Sequence, residues 1–156
     1  KNTENYKNIK VFNFGLGKKN ETLDIFLSDD SENFGGGSFF PEAGGVSDIK
    51  VRCEIRNIQD ALIELNIKEI DLIKIDTEGA EFDILTSLNK KYLGGIKWII
   101  GELHGYKDFE LLSYLQSFGF CIGVKKRLDN RLSMFHALDR ETLEMLNKKD
   151  VKKLVK

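Results

Sequence analysis

The sequence has little cysteine, little proline and almost no net charge, and these shortages limit what the protein can be. The chain of 156 residues has two cysteines and one proline, and the cysteines form no CxxC pair. Cys53 and Cys121 both lie in strand-like stretches, where a free thiol acts as a small buried apolar group. We therefore expect structural cysteines in a reducing compartment and a cytoplasmic location.

Charge of one sign and long apolar runs are also missing. The formal net charge is -1, which gives no broad electrostatic attraction for nucleic acid or for an anionic membrane surface. The longest apolar stretches, such as residues 98–100, fall far short of the roughly 20 residues that a membrane span needs. The composition, 41% hydrophobic and 31% charged, is that of a globular domain. We predict no nucleic-acid partner and no membrane span.

The sequence does contain a regular alternation of strand-like and helical segments. Continuous apolar strands between helices predict an α/β doubly wound, mostly parallel sheet that is covered on both faces. The last two strands predict an antiparallel hairpin at one edge of this sheet. Strands are predicted at residues 9–14, 22–28, 48–54, 71–76, 96–102, 120–124 and 132–138, helices at residues 57–66, 79–89 and 108–118, and an amphipathic helical tail at residues 139–156.

Acidic side chains and a histidine follow two of these strands, at the point where each strand ends. The segment "DLIKIDTEGAEFDIL" delivers Asp76 and then Glu78, and "IIGELH" delivers Glu102 and then His104. Ligands bind beyond the carboxyl ends of the strands in such sheets, so neighbouring strands would bring these groups to one crevice. The set could act as a general base or could hold a divalent cation.

Each of these groups also has a structural interpretation. Glu78 and Glu81 lie between a strand and a helix, where acids often do no more than interact with the N–H groups of the helix start. His104 alone could be an ordinary, satisfied histidine. Asp76 lies at the strand tip, which makes it the best candidate for chemistry. Lys74 is expected to pair with one of these acids, because an ammonium group in a central strand needs a partner.

Together these segments resemble the FkbM-type methyltransferase family. "DLIKIDTEGAEFDIL" is similar to the family's central motif, "VFNFGLG" to its third strand and small-residue turn, "GGGSF" to its serine-containing loop and "IIGELH" to its strand ending in glutamate and then histidine. The resemblance implies a Rossmann-like, class I fold and S-adenosylmethionine as cofactor. It makes residues 1–138 the C-terminal portion of a methyltransferase domain. We expect the family's first strand, glycine-rich turn and ribose-binding acid to precede Lys1.

The resemblance also implies a reaction, the transfer of a methyl group to a hydroxyl oxygen on a sugar, a glycolipid or a polyketide-like acceptor. Asp76 is the first candidate for the base that takes the hydroxyl proton, and His104 or Glu102 is the second. No residue is assigned to a metal, although Asp76 and Glu102 could hold a divalent cation.

Two groups of binding residues follow from the same resemblance. The candidate cofactor contacts are Gly15, Leu16 and Asp76, and the candidate substrate contacts are Glu78 and Ser38. Ser38 follows a glycine triplet that could bind an anion through its backbone N–H groups or could form a flexible loop. The expected partner is a small-molecule or glycan acceptor.

Two other functions compete with this one. The chain could be a truncated, non-catalytic module that binds a partner. Alternatively, Asp76 and Glu78 could hold a metal for a sugar-nucleotide, as in a glycosyl-transfer enzyme.

Overall fold

The computed structural model describes residue 3 and residues 5–28, 46–126 and 133–146. Within these residues the fold is mixed α/β, with two mixed sheets. The strands are β1 (Gly15–Gly17), β2 (Glu21–Ser28), β3 (Val46–Asn57), β4 (Leu72–Ile75), β5 (Trp98–Leu103), β6 (Cys121–Lys126) and β7 (Ser133–Leu138). The helices are α1 (Ile58–Glu64), α2 (Glu81–Thr86), α3 (Lys90–Leu93), α4 (Asp108–Ser117) and α5 (Arg140–Met145).

The first sheet has the strand order β1-β3-β2, with β1 parallel and β2 antiparallel to β3. The strand predicted at residues 9–14 is wrong, and its apolar side chains are not buried: Val11 is 71% exposed. Pairing begins at Gly15 instead. A Cβ at Gly15 or Gly17 would lie 2.6 or 2.7 Å from the Ile55 side chain, so the two glycines let β1 lie closely against β3.

The second sheet has the strand order β4-β5-β7-β6. Only β4 and β5 are parallel in it, because β7 runs antiparallel to both β5 and β6. The predicted hairpin is confirmed as β6 and β7, but of these two strands only β6 lies at an edge of the sheet, and β7 lies inside it. The described part of the chain therefore has two mixed sheets where one mostly parallel sheet was predicted.

The predicted helix at residues 79–89 is confirmed only as the shorter α2, which ends at Thr86, and a separate helix that was not predicted, α3, follows at Lys90. Thr86 and Ser87 donate their hydroxyl groups back to the carbonyl oxygens of Phe82 and Asp83, a pattern that weakens helix continuation. Asn89 then caps α3 by accepting from the N–H of Tyr92 at 3.0 Å. The other two predicted helices are confirmed as α1 and α4.

The core lies between the second sheet and the helices that pack on it. Its largest fully buried side chains are Phe135, Leu85, Leu93, Ile96, Ile99, Leu111 and Leu115. Cys53 on β3 and Cys121 on β6 are free and half-buried. Among the described residues, no helix is both long enough and apolar enough to cross a membrane.

β4 is less buried than its apolar sequence predicts. It lies at one edge of the described sheet, so Leu72 is 50% exposed and only Ile75 is buried. The side chain of Lys74 is 72% exposed, and its Nζ lies 3.8 Å from Asp76 Oδ2. The expected pairing of Lys74 with an acid is present, but the lysine is not in a buried central strand.

Gly101 on β5 is a position where the fold should tolerate no side chain. A Cβ there would lie 2.7 Å from the Ile75 carbonyl oxygen and from the Phe135 ring. We expect Gly101→Ala to lower the free energy of unfolding by about 3 kcal/mol, because these buried neighbours would have to move. Urea denaturation measures it, with Gly95→Ala as the control, since a Cβ at Gly95 has no neighbour closer than 3.6 Å. Equal losses in both variants would show that overpacking is not the cause.

Candidate functional site

The candidate site lies beyond the carboxyl ends of β4 and β5. These strands are parallel neighbours, with Ile75 opposite Gly101, as the prediction of a shared crevice required. Asp76 follows β4 directly. Glu102 is the second-last residue of β5, and His104 follows β5 directly. Asp76 is 39% exposed at its side chain, whereas the His104 side chain is only 8% exposed.

Glu81 is the buried group at the centre of this site. It is 2% exposed, and no other charged residue in the described ranges is as deeply buried. Its Oε1 accepts from the N–H of Thr77 at 2.8 Å and from the Thr77 hydroxyl at 3.0 Å. Its Oε2 accepts from the N–H of Gly79 at 3.1 Å. The carboxylate therefore organises the whole loop between β4 and α2.

His104 connects this buried carboxylate to the exposed acids. Its Nδ1 lies 3.0 Å from Glu81 Oε1, and its Nε2 lies 3.5 Å from Glu78 Oε2 and 3.8 Å from Asp76 Oδ1. With Glu81 ionised, Nδ1 carries a proton and donates a hydrogen bond to Oε1. The other ring nitrogen then faces Asp76 and Glu78.

The charges of this pair support each other. Burial on its own would raise the pKa of Glu81, but the hydrogen bonds from His104 and from backbone N–H groups lower that pKa to about 2. The hydrogen bond to Glu81 raises the pKa of His104 above its ordinary value, against the opposing effect of burial, and the charges of Glu81, Glu78 and Asp76 add to the rise. An imidazolium–carboxylate pair is therefore favoured in the folded protein.

The pair predicts a stability that falls at both ends of the pH range. The lowered pKa of Glu81 stabilises the fold above pH 4.5, and this contribution is lost as the pH falls towards about 2. The raised pKa of His104 stabilises the fold below pH 6.5, and this contribution is lost as the pH rises through the folded-state value. Urea unfolding in EDTA at a series of pH values measures both. In His104→Gln the decline that begins above pH 6.5 should disappear; an unchanged decline would contradict the assignment.

The loop between Asp76 and Glu81 holds an uncommon backbone conformation. Glu78 has φ 52° and Gly79 has φ 107°, and a residue with a Cβ in the left-handed region costs roughly 1 kcal/mol. The Glu81 carboxylate binds the N–H groups on both sides of Glu78, at Thr77 and Gly79, and so holds it there. This geometry keeps the Glu78 carboxylate beside His104.

The other predicted binding residues lie elsewhere. Leu16 and Gly17 line a cleft of about 350 Å³, and the other two predicted cofactor contacts, Gly15 and Asp76, are not among its lining residues. The same cleft is also lined by Gly79, Ala80 and Asp83, and by Tyr106 from the segment after β5. The cleft therefore borders the same loop that carries Glu78. The predicted substrate contact Ser38 and its glycine triplet lie outside the described residues.

The sequence predicts Glu81 as a charge at a helix start, and the structure places it in the first turn of α2, but this interpretation is incomplete. Glu81 does begin α2, but it is buried against His104. The sequence held a signal for this: Glu81, Ile84, Leu85 and Leu88 have the spacing i, i+3, i+4 and i+7 of one helix face. All four are buried, and a carboxylate on such a face requires a partner.

Comparison with known proteins agrees with the predicted resemblance. A family model described as the Methyltransferase FkbM domain matches residues 1–122. The chain belongs to the FkbM methyltransferase domain family.

Two curated relatives are similar to part of this chain. The AMB antimetabolite synthetase AmbE of Pseudomonas aeruginosa is 30% identical over 88 residues, which cover 53% of this chain and 4% of that protein. Methyltransferase 1 of Beauveria bassiana is 34% identical over 80 residues, which cover 49% of this chain and 32% of that protein. The matched part of the chain thus spans 4% of the first relative's length and 32% of the second's. No solved structure matches it.

Proposed function

We propose that this chain is part of an S-adenosylmethionine-dependent methyltransferase that methylates a hydroxyl group on a sugar, glycolipid or polyketide-like acceptor. The observation that carries the proposal is the Glu81–His104 pair at the ends of β4 and β5, with Asp76 beside it, in a chain of the FkbM family. The parallel β4–β5 pair and the helices that follow each strand support a Rossmann-like arrangement.

The cleft beside Leu16 fits the apolar part of such a cofactor. Leu16, Leu23, Ile55 and Ala80 give it apolar walls, and Tyr106 offers an aromatic face for an adenine ring. S-adenosylmethionine, when bound, would supply an electrophilic methyl group on a sulfonium. Leu16 and Gly17 would hold the adenine side, while the Asp76–Ala80 loop would separate the cofactor from the acceptor.

The chemistry required of this chain is removal of a proton. An acceptor hydroxyl at the ends of β4 and β5 would donate a hydrogen bond to the half-exposed Asp76 carboxylate, which takes the proton as the oxygen–methyl bond forms. His104 Nε2 lies near the carboxylates of Asp76 and Glu78, so its ring would lie beside the acceptor and help to fix the position of Asp76. Glu81 is a positioning residue, because it orients the His104 ring without facing the crevice.

Calorimetric titration with S-adenosylmethionine tests the cofactor assignment, carried out on the complete gene product. Saturable heat is expected in the wild type and a loss of affinity in Leu16→Glu, because a carboxylate would enter the apolar wall. Leu27→Glu is the matched control: Leu27 is 38% exposed against 39% for Leu16, and it does not line the cleft. No heat at high micromolar cofactor would contradict the proposal and would favour the non-catalytic binding module.

The remaining assignments follow from the same proposal. We place the protein in the cytoplasm, with a small-molecule or glycan acceptor as its partner and without nucleic acid. The free state of Cys53 and Cys121 supports a reducing compartment.

A further inference from the structure

Three ligand atoms converge at the ends of β4 and β5. Asp76, Glu102 and His104 each offer one, and these atoms all lie within 4.8 Å of one another. Ligands bound at about 2.1 Å from one ion lie at most about 4.2 Å apart, so only a slight contraction would bring the three onto a common ion. Two carboxylate oxygens and an imidazole nitrogen are suitable ligands for divalent transition ions.

The histidine is already oriented as a metal ligand would be. In metal sites the ligating imidazole usually donates its other N–H to a carboxylate, which fixes the tautomer and the ring orientation. Here Nδ1 is bound to the buried Glu81 carboxylate at 3.0 Å. The Nε2 atom is therefore the one that faces Asp76. This contact is independent of the three-ligand geometry, and it distinguishes the site from a simple cluster of acids.

The two oxygens of Asp76 point to different partners. Oδ2 lies 3.8 Å from the largely exposed Lys74 Nζ, and Oδ1 lies 3.8 Å from His104 Nε2. One oxygen can thus bind an ion while the other remains available to an acceptor hydroxyl. Glu78, whose Oε2 is 3.5 Å from Nε2, adds negative charge at the rim and would favour entry of a cation.

We propose that Asp76, Glu102 and His104 Nε2 bind one divalent transition-metal ion, with Glu81 as the carboxylate that orients the imidazole. The ion would take the place of the Nε2 proton, which is released to the solvent when the ion binds. The ion would lie next to the acceptor hydroxyl and would bind its oxygen. This contact with the acceptor rests on the proposed methyl transfer, whereas the binding of the ion to the protein does not.

Titration of the protein with Mn²⁺ alone, followed by electron paramagnetic resonance, tests the site without cofactor or acceptor. We expect saturable binding of one ion. Asp76→Asn, Glu102→Gln and His104→Gln should each weaken it at least roughly tenfold, and Glu81→Gln by roughly 10–100-fold. Asp71→Asn is the control, because Asp71 precedes β4 at the opposite end and contacts Lys97 at 2.6 Å. Circular dichroism checks that each variant is folded.

The outcomes separate this proposal from the proposed function. No saturable binding at millimolar Mn²⁺, or binding that the four substitutions leave unchanged, would overturn the site. Binding of Mn²⁺ by a protein that gives no heat with S-adenosylmethionine would support the site and reject the methyltransferase role. Heat with S-adenosylmethionine from a protein that does not bind Mn²⁺ would support the methyltransferase role and reject the metal site.

Discussion

Glu81→Gln is expected to lower the free energy of unfolding by about 3–4 kcal/mol near pH 6. The size follows from the difference between the ordinary pKa of 4.5 and the folded value of about 2, at about 1.4 kcal/mol per unit. The glutamine amide cannot accept from His104, Thr77 and Gly79 as the carboxylate does. Urea denaturation measures the loss, and proton NMR of the imidazole ring measures a fall in the pKa of His104 towards its ordinary value.

The second measurement separates positioning from bulk stability, because a merely structural Glu81 would leave the pKa of His104 unchanged. The sequence has two histidines, so His136→Gln assigns the ring signals. Glu78→Gln is the matched control: its carboxylate is 44% exposed, and such exposed pairs contribute no more than about 1 kcal/mol. A comparable loss of stability in Glu78→Gln would contradict the central role of Glu81.

Asp76→Asn is expected to reduce methyl transfer by roughly 100-fold or more while cofactor affinity and stability change little. An amide has nearly the size of the carboxylate but accepts no proton, and general-base catalysis contributes about 10²–10⁴-fold. Transfer of tritium from methyl-labelled S-adenosylmethionine to a hydroxyl acceptor that the wild type labels measures the rate. The fall should be in kcat rather than in the binding of the cofactor.

Asp71→Asn tests whether any loss of charge on this strand would have the same effect. Asp71 is 78% exposed at its side chain and lies at the other end of β4, so turnover should not change. Full activity in Asp76→Asn would show that Asp76 is not the base and would leave His104 or Glu102 as the candidates.

The spacing of apolar residues predicted the strands and helices wherever those apolar residues are in fact buried. The alternation at β5 is an example: Ile99, Gly101 and Leu103 are buried, and the residues between them are half-buried. The segment at residues 9–14 has a similar alternation but no partner strand in the described fold. Strand order and direction depend on contacts between distant segments, and a short apolar strand reads the same in parallel and antiparallel pairings. The position of β7 inside the sheet was therefore not predictable from its own sequence.

The site was predictable in its members but not in its organisation. Asp76, Glu102 and His104 could be placed at one edge because strand ends are visible in the sequence. The burial of Glu81 was obscured because an acid in the first turn of a helix has an ordinary electrostatic explanation. Which acid holds the imidazole depends on the backbone turn at Glu78, and a glutamate with positive φ is not a pattern that sequence reasoning would select.

The carboxylate of Glu81 has a consequence for the cost of binding. The loop that carries Glu78 is fixed by hydrogen bonds to a side chain of the protein itself, so its conformational entropy is lost during folding rather than when a ligand arrives. A ligand at this edge would meet a surface that is already ordered, and most of its interaction energy would remain available as affinity.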